Sequence, residues 1–285
     1  MSVHAATKPI TPMSLRARKQ GAPIVGLTAY TASLAKIMDP HVDLILVGDS
    51  VAMTVYGQST TLGVTLETMI RHGEAVARTC RHACVVVDMP FGSYQASPQQ
   101  AFRNAAEVMS QTGCSAIKLE GGQEMAATVE FLSQRGVPVL GHIGLTPQAI
   151  NVLGGFKTQG KDSAAAERIG QDARSMEAAG AFGVVIEGVM EPLARAITNA
   201  ITIPTIGIGA SPACDGQILV VDDVIGLFNA FKPRFVKRYA NLLDDAERAI
   251  KTYAEEVRSG AFPADEHVFR GSDNKDVQPA PPTGP

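Results

Sequence analysis

The chain has 285 residues, 45% of them hydrophobic and 19% charged, with a formal net charge of −3. That length holds one large barrel or two smaller domains, each with a real core. The absence of any basic stripe argues against a nucleic-acid partner. No run approaches the ~18 apolar residues of a membrane span, and residues 1–12 lack an apolar signal core, so a soluble, cytoplasmic protein is expected.

In chain order, short apolar runs predict strands at 23–30 and 42–50, followed by a helix at 65–79. A strand at 84–90 precedes the clearest helix signal, Ser97-Pro98-Gln99-Gln100, with a capping serine, proline at the first helical position and glutamine at the capping-box position. That helix should run to about Gln111. The alternation continues with strands at 114–121, 137–144, 182–188 and 203–210, and helices at 123–135, 163–179 and 192–200. An eighth strand is expected around 218–225, and a long amphipathic helix at 234–258 should close the domain. Runs buried on both faces and separated by helical segments are the pattern of a parallel α/β protein. Seven or eight βα units without a composition break predict a (βα)8 TIM barrel, a single catalytic domain over 1–270 with an N-terminal helical segment. The alternative is an open doubly wound sheet. Residues 271–285 are rich in proline and polar side chains, with little to bury, and are expected to form a disordered tail.

Two segments stay open. The glycine-rich stretch at 151–162 reads equally as a mobile active-site loop or a plain surface loop. Gly207-Ile208-Gly209-Ala210 invites a phosphate-loop reading, but close backbone packing at a crowded barrel mouth explains the glycines as well. Cys80, Cys84, Cys114 and Cys214 form no Cys-x-x-Cys pair, and are expected to be reduced core residues.

The chemistry collects where ionisable residues end the apolar runs. Asp49 and Ser50 end Leu44–Gly48, Asp88 ends Val85-Val86-Val87, and Lys118 and Glu120 end the run from Cys114. His142 follows Val139-Leu140-Gly141, and Glu187 follows Val184-Val185-Ile186. In a parallel barrel these ends open on one face, so the residues should converge at one mouth. Lys118 and Glu120, two apart on one strand, point the same way. Carboxylates gathered in a partly dry pocket repel unless a cation intervenes. Asp49, Asp88 and Glu120 therefore read as a hard-cation site that favours Mg²⁺ over zinc. The competing reading has each acid capping a helix or pairing with a nearby base. Such an ion beside Lys118 suits a 2-oxo acid, whose enolate the metal and the lysine would stabilise while Glu187 removes the proton. His142 is the alternative base, or a group that orients by hydrogen bonding.

These segments also resemble a known family, from the first strand to about Phe269. The likeness rests on Leu27-Thr28-Ala29-Tyr30, Val47-Gly48-Asp49-Ser50, Asp88-Met89-Pro90-Phe91, Lys118-Leu119-Glu120-Gly121-Gly122, Gly141-His142-Ile143-Gly144-Leu145-Thr146-Pro147-Gln148, Gly154-Gly155-Phe156-Lys157 and Asp215-Gly216-Gln217-Ile218-Leu219. On these the chain resembles the ketopantoate hydroxymethyltransferases, barrels of the phosphoenolpyruvate/pyruvate-binding type. The resemblance implies transfer of a one-carbon unit from 5,10-methylenetetrahydrofolate to 3-methyl-2-oxobutanoate, giving ketopantoate in the first step of pantothenate biosynthesis. It also implies Mg²⁺ and a decameric homo-oligomer. By position Asp49, Asp88 and Glu120 match the family's metal acids. Asp49, Ser50, Asp88 and Lys118 match its oxo-acid contacts, with His142 beside them, and Glu187 matches its proton acceptor. The chain departs from the pattern at Gln58, where histidine is usual, at Gly63, where proline is usual, and at Ser211, where glycine is frequent. A lyase or mutase acting through a pyruvate enolate, or a catalytically silent metabolite-binding protein, are the rival readings.

Overall fold

A computed structural model describes residues 8–228 and 233–269. The chain divides into two compact units, Met1–Tyr239 and Ala240–Pro285. In the first unit eight strands form a closed parallel barrel: β1 (Ile24–Thr28), β2 (Leu44–Val47), β3 (Cys84–Asp88), β4 (Ala116–Glu120), β5 (Val139–Gly144), β6 (Gly183–Glu187), β7 (Thr205–Ile208) and β8 (Gly216–Leu219). Each pairs with the next, and β8 pairs with β1, so no strand edge is left open. The doubly wound alternative is thereby set aside.

The helices of this unit, in chain order, are α1 (Pro12–Arg16), α2 (Ala32–Met38), α3 (Val51–Thr54), α4 (Leu66–Ala77), α5 (Pro98–Thr112), α6 (Ala126–Ser133), α7 (Ile150–Leu153), α8 (Ser163–Ala178), α9 (Glu191–Ala200) and α10 (Val221–Ile225). α5 starts where its sequence signal lies: the Ser97 side chain accepts from the Gln100 N–H at 3.1 Å, Pro98 opens the first turn, and Gly113 ends the helix with left-handed backbone. The Gln100 carboxamide does not return to Ser97. It takes the Ala96 N–H and donates to the Gly92 carbonyl, tying down the loop after β3.

Alternation along the strands sorts two cores. One face, including Ile45, Val47, Val85, Val87, Ile117, Leu119, Val139, Val184 and Ile186, packs under the helices. The other, including Ile24, Leu44, Leu46, Cys84, Val86, Ala116, Leu140, Val185, Ile206 and Ile218, fills the lower barrel interior together with Leu15 of α1. Burying each such aliphatic side chain contributes ~1.5–3 kcal/mol, and the lower barrel is a packed plug. The same inward-facing positions carried further along β3 to β6 are Asp88, Lys118, Glu120, His142 and Glu187. The apolar interior thus gives way to a polar layer at the C-terminal mouth.

The eighth strand lies at Gly216–Leu219 rather than 218–225. Ile218 to Val221 is one unbroken apolar run, and it hides the point where strand passes into α10, whose first turn carries Asp222 and Asp223 at the favourable end of the helix dipole. The predicted helix at 234–258 begins only at Leu242. Tyr239 donates its N–H to the Val224 carbonyl at the end of α10, which keeps that stretch out of helix. The second unit contains α11 (Leu242–Ser259), ended by Gly260, with Tyr253 edge-on to Phe262 at 5.5 Å between ring centroids. The tail expected at 271–285 lies outside the described residues. No helix among those described is long and apolar enough to cross a membrane.

Candidate active site

Strand register brings the predicted residues together. Asp88 is paired with Lys118 across β3 and β4, Glu120 with His142 across β4 and β5, and Gly144 with Glu187 across β5 and β6. In-register partners on neighbouring parallel strands point the same way, so all five side chains line the mouth. Asp49 follows β2 and donates its backbone N–H to Asp88 Oδ2 at 3.0 Å. The Lys118 ammonium lies 2.5 Å from Asp88 Oδ1. Asp49, Asp88, Lys118, Glu120 and His142 are buried, Asp88 to 2% exposure, whereas the Glu187 side chain keeps 17%. Glu187 is thus the acid of the layer most open to an incoming molecule. The chain comes close at this point: Gly144 has left-handed backbone, φ +92°, and a Cβ there would stand 2.5 Å from the Glu187 carbonyl oxygen.

His142 is clasped between acids, Nδ1 3.3 Å from Glu120 and Nε2 3.2 Å from Glu187. Burial and Lys118 act to lower its pKa, but the two carboxylates outweigh them and push it up to about 9. Both carboxylates thus favour the charged form of the imidazole. Burial works against the charge on Lys118 too, and Asp88, Glu120 and Asp49 outweigh it, raising its pKa. For Asp49, burial and then the charges of Asp88 and Glu120 push the carboxyl up to about 8, although Lys118 and Gln148 pull the other way. Acids outnumber bases in this layer, with Asp49, Asp88, Glu120 and Glu187 around Lys118 and His142.

Asp88 Oδ1 and Glu120 Oε1 are buried, with Lys118 beside the first and His142 beside the second, and each carboxylate oxygen keeps a second lone pair for a further partner. Among the described residues no three His, Cys, Asp or Glu side chains stand close enough together to enclose an ion. The all-oxygen donor set fits Mg²⁺ in its usual form, with one or two carboxylates and the remaining positions filled by water and substrate oxygens. A closed protein cage does not fit.

Other polar groups complete the site. Ser50 stands before α3 but does not cap it; its hydroxyl meets Tyr30 Oη at 2.8 Å. Two residues to which sequence reasoning gave no role, Tyr94 and Gln148, are buried among the acids. Gln148 donates to Asp49 Oδ2 and to Glu120 Oε2, each at 2.9 Å, and accepts from Tyr94 at 2.7 Å. The available signal was position: Thr146-Pro147-Gln148 follows β5 directly at the mouth. A search for ionisable residues passes over a neutral amide.

The glycine-rich stretch after α7 is tied by Gln159, whose N–H donates to the Gly188 carbonyl and whose carbonyl accepts from Met190 N, one residue from Glu187 at the nearest. Phe156 in this loop is exposed. Gly209 has φ +58°, and a Cβ there would strike the Phe235 ring at 2.6 Å, so packing accounts for that glycine. Two departures from the family pattern touch each other: the Gln58 carboxamide occupies the space a Cβ at Gly63 would need. Ser211 donates to Glu191 at 2.7 Å. All four cysteines are free and buried. Two surface cavities, of about 360 and 320 Å³, lie between α8 and α9 and between α4 and α5, away from this layer.

Comparison with known proteins agrees with the geometry. Solved structures of a phosphonopyruvate hydrolase in complex with oxalate and Mg²⁺ (TM-score 0.57, 14% identity, 90% of this chain and 93% of that one) and of 2,3-dimethylmalate lyase, a PEP mutase/isocitrate lyase superfamily member (0.57, 16%, 91% and 92%), share the fold. Proteins named 3-methyl-2-oxobutanoate hydroxymethyltransferase from Brucella canis and Agrobacterium fabrum are 58% and 56% identical. They align over 94% and 95% of this chain and 98% and 97% of their own length. The profile described as ketopantoate hydroxymethyltransferase matches residues 9–265, and the chain belongs to that family.

Proposed function

We propose that the chain is a 3-methyl-2-oxobutanoate hydroxymethyltransferase: C3 of the oxo acid gains the methylene carbon of 5,10-methylenetetrahydrofolate, water supplies the hydroxyl, and ketopantoate and tetrahydrofolate leave. The observation that carries this reading is the buried row Asp49, Asp88, Lys118 and Glu120 beside the more open Glu187, in a chain whose relatives bear that name. Asp49, Asp88 and Glu120 would hold Mg²⁺ directly or through its water. When bound, the ion draws charge from the keto and carboxylate oxygens of the substrate. Ser50, Asp49, Asp88 and Lys118 seat the oxo acid, and Lys118 offsets the charge that grows on the keto oxygen as C3 loses its proton.

Glu187 takes that proton. His142 is less suited to the task, since both its ring nitrogens face carboxylates that favour its protonated form; it holds Glu187 in place. The loop pinned at Gln159 stands on the side of Glu187, where the folate would arrive. The setting is cytoplasmic, and the enzyme works as a homo-oligomer, a decamer by family resemblance. Incubation with isotope-labelled 3-methyl-2-oxobutanoate, Mg²⁺ and methylenetetrahydrofolate should give labelled ketopantoate. A product cleaved at a carbon–carbon bond would point instead to a lyase, and no turnover to a metabolite-binding protein.

A further inference from the structure

Gln148 lies on the short turn Pro147–Ala149 after β5 and is only 6% exposed. Its side chain makes four contacts. Nε2 donates to Asp49 Oδ2 and to the Met89 carbonyl, both at 2.9 Å. Oε1 accepts from Tyr94 Oη at 2.7 Å and from Gln95 Nε2 at 3.2 Å. Its backbone N–H donates to Glu120 Oε2 at 2.9 Å. Both donor positions and both acceptor positions of the amide are filled, so it has no capacity left for a ligand.

Proton counting fixes which way the amide points. The Glu120 N–H donates to Tyr94 Oη at 3.1 Å, which uses a lone pair of that oxygen. The hydroxyl hydrogen is then free to go to the nearer of its two acceptors, Gln148 Oε1, rather than to the Glu120 carbonyl at 3.3 Å. On the other side the Met89 carbonyl can only accept. A flipped amide would set oxygen against that carbonyl and against Asp49, while Nε2 faced two donors. The chain of bonds therefore runs one way: from the β4 backbone through Tyr94 to Gln148, and from Gln148 to Asp49.

Gln148 is also the one residue among these contacts that grips two acids, Asp49 with its side chain and Glu120 with its backbone. Asp49 follows β2 and Glu120 ends β4, with Asp88 on β3 between them. A neutral amide can hold an anionic oxygen in place without adding the positive charge that would compete with a divalent ion for the same acids.

We propose that Gln148 is a positioning residue that sets the spacing and orientation of Asp49 and Glu120 for the Mg²⁺–oxo-acid complex, with Tyr94 holding it in its working orientation; this rests on the metal reading given above. Gln148→Met keeps the volume and removes the amide. Calorimetric titration with Mg²⁺ alone, without substrate, should show roughly 10- to 100-fold weaker binding than wild type, the range for loss of a group that orients metal ligands. In the assay, the Mg²⁺ requirement and the oxo-acid KM should rise together, while kcat at saturating Mg²⁺ stays within a few-fold. A merely structural role would lower Tm and leave the Mg²⁺ affinity of the folded protein untouched, and that result overturns the proposal. Should Gln148→Met not fold, Tyr94→Phe, which frees the amide to turn, should show the same change in smaller degree; unaltered Mg²⁺ affinity there overturns it equally. Wild-type protein that binds no Mg²⁺ at all would remove the metal reading itself, whereas normal wild-type binding with an unaffected variant removes only the role of Gln148.

Discussion

The two ends of the barrel use the same residue type in opposite ways. At the N-terminal floor, Asp39 accepts from three successive backbone N–H groups, Arg81, His82 and Ala83, at 2.8–3.1 Å. Asp43 there takes the Val25 N–H and pairs with Arg18 at 2.6 Å, and Asp215 takes N–H groups of Gln20 and Thr205 and the Lys19 ammonium. At the C-terminal mouth four acids share two bases, Asp88 meeting Lys118 while Glu120 and Glu187 meet His142, and acids stand beside acids. Satisfied carboxylates join strand starts to the segments before them and hold the fold together. Crowded ones, where acids outnumber bases, favour a bound cation and cost stability to keep. An acid's place along its strand, more than its burial, tells which role it has.

Asp39→Ala is the strongest way to sharpen this contrast. It leaves three backbone N–H groups at the floor without their acceptor, and should cost about 2–4 kcal/mol. A chemical denaturation midpoint would show the loss, while kcat of the folded enzyme is unchanged. A similar loss of activity in folded protein would break the division between floor and mouth.

A smaller effect, but one of opposite sign at the two ends, is expected from pH. For Asp215, burial alone would raise the carboxyl, and bonds from Thr205, Gln20 and Lys19 outweigh it, so its pKa is lowered. Its contribution is present above the ordinary carboxylate value of about 3.9 and is lost as pH falls through the depressed folded value. For Asp49 the folded pKa is raised to about 8. The folded state then holds a proton that the unfolded state gives up, and stability of the chelator-treated protein falls as pH rises from about 4 through 8. Accordingly, Asp215→Asn should lower Tm at pH 8, and Asp49→Asn should raise it when divalent ions are removed. Thermal melts at pH 5 and pH 8 check both, and two shifts of the same sign would contradict the account.

Much of this was legible in the sequence, because a parallel barrel converts strand ends into neighbours. Asp49, Asp88, Lys118, Glu120, His142 and Glu187 each interrupt an apolar run, and that interruption survives folding as position at the mouth. The boundary of β8 was hidden because Ile218 to Val221 has no polar break to mark where strand becomes helix. The start of α11 was hidden because a tertiary hydrogen bond from Tyr239 competes with local periodicity. The floor acids were passed over since nothing local announces that Asp39 will meet the N–H groups of residues more than forty positions away. Gln148 was missed for a related reason: its side chain finds four partners in two distant segments, Asp49 after β2 and Met89, Tyr94 and Gln95 after β3, and none of them can be read from its neighbours in sequence.

The central claim is that the mouth removes a proton from carbon by way of Glu187, with a divalent ion held by its neighbours. The direct measurement is hydrogen–deuterium exchange at C3 of 3-methyl-2-oxobutanoate, followed by NMR in D₂O with Mg²⁺ and no folate. Wild-type protein should exchange this position, and Glu187→Gln should slow it by ~10²-fold or more while binding Mg²⁺ and the oxo acid within a few-fold of wild type. Unimpaired exchange in the variant, or none in the wild type, would contradict the account.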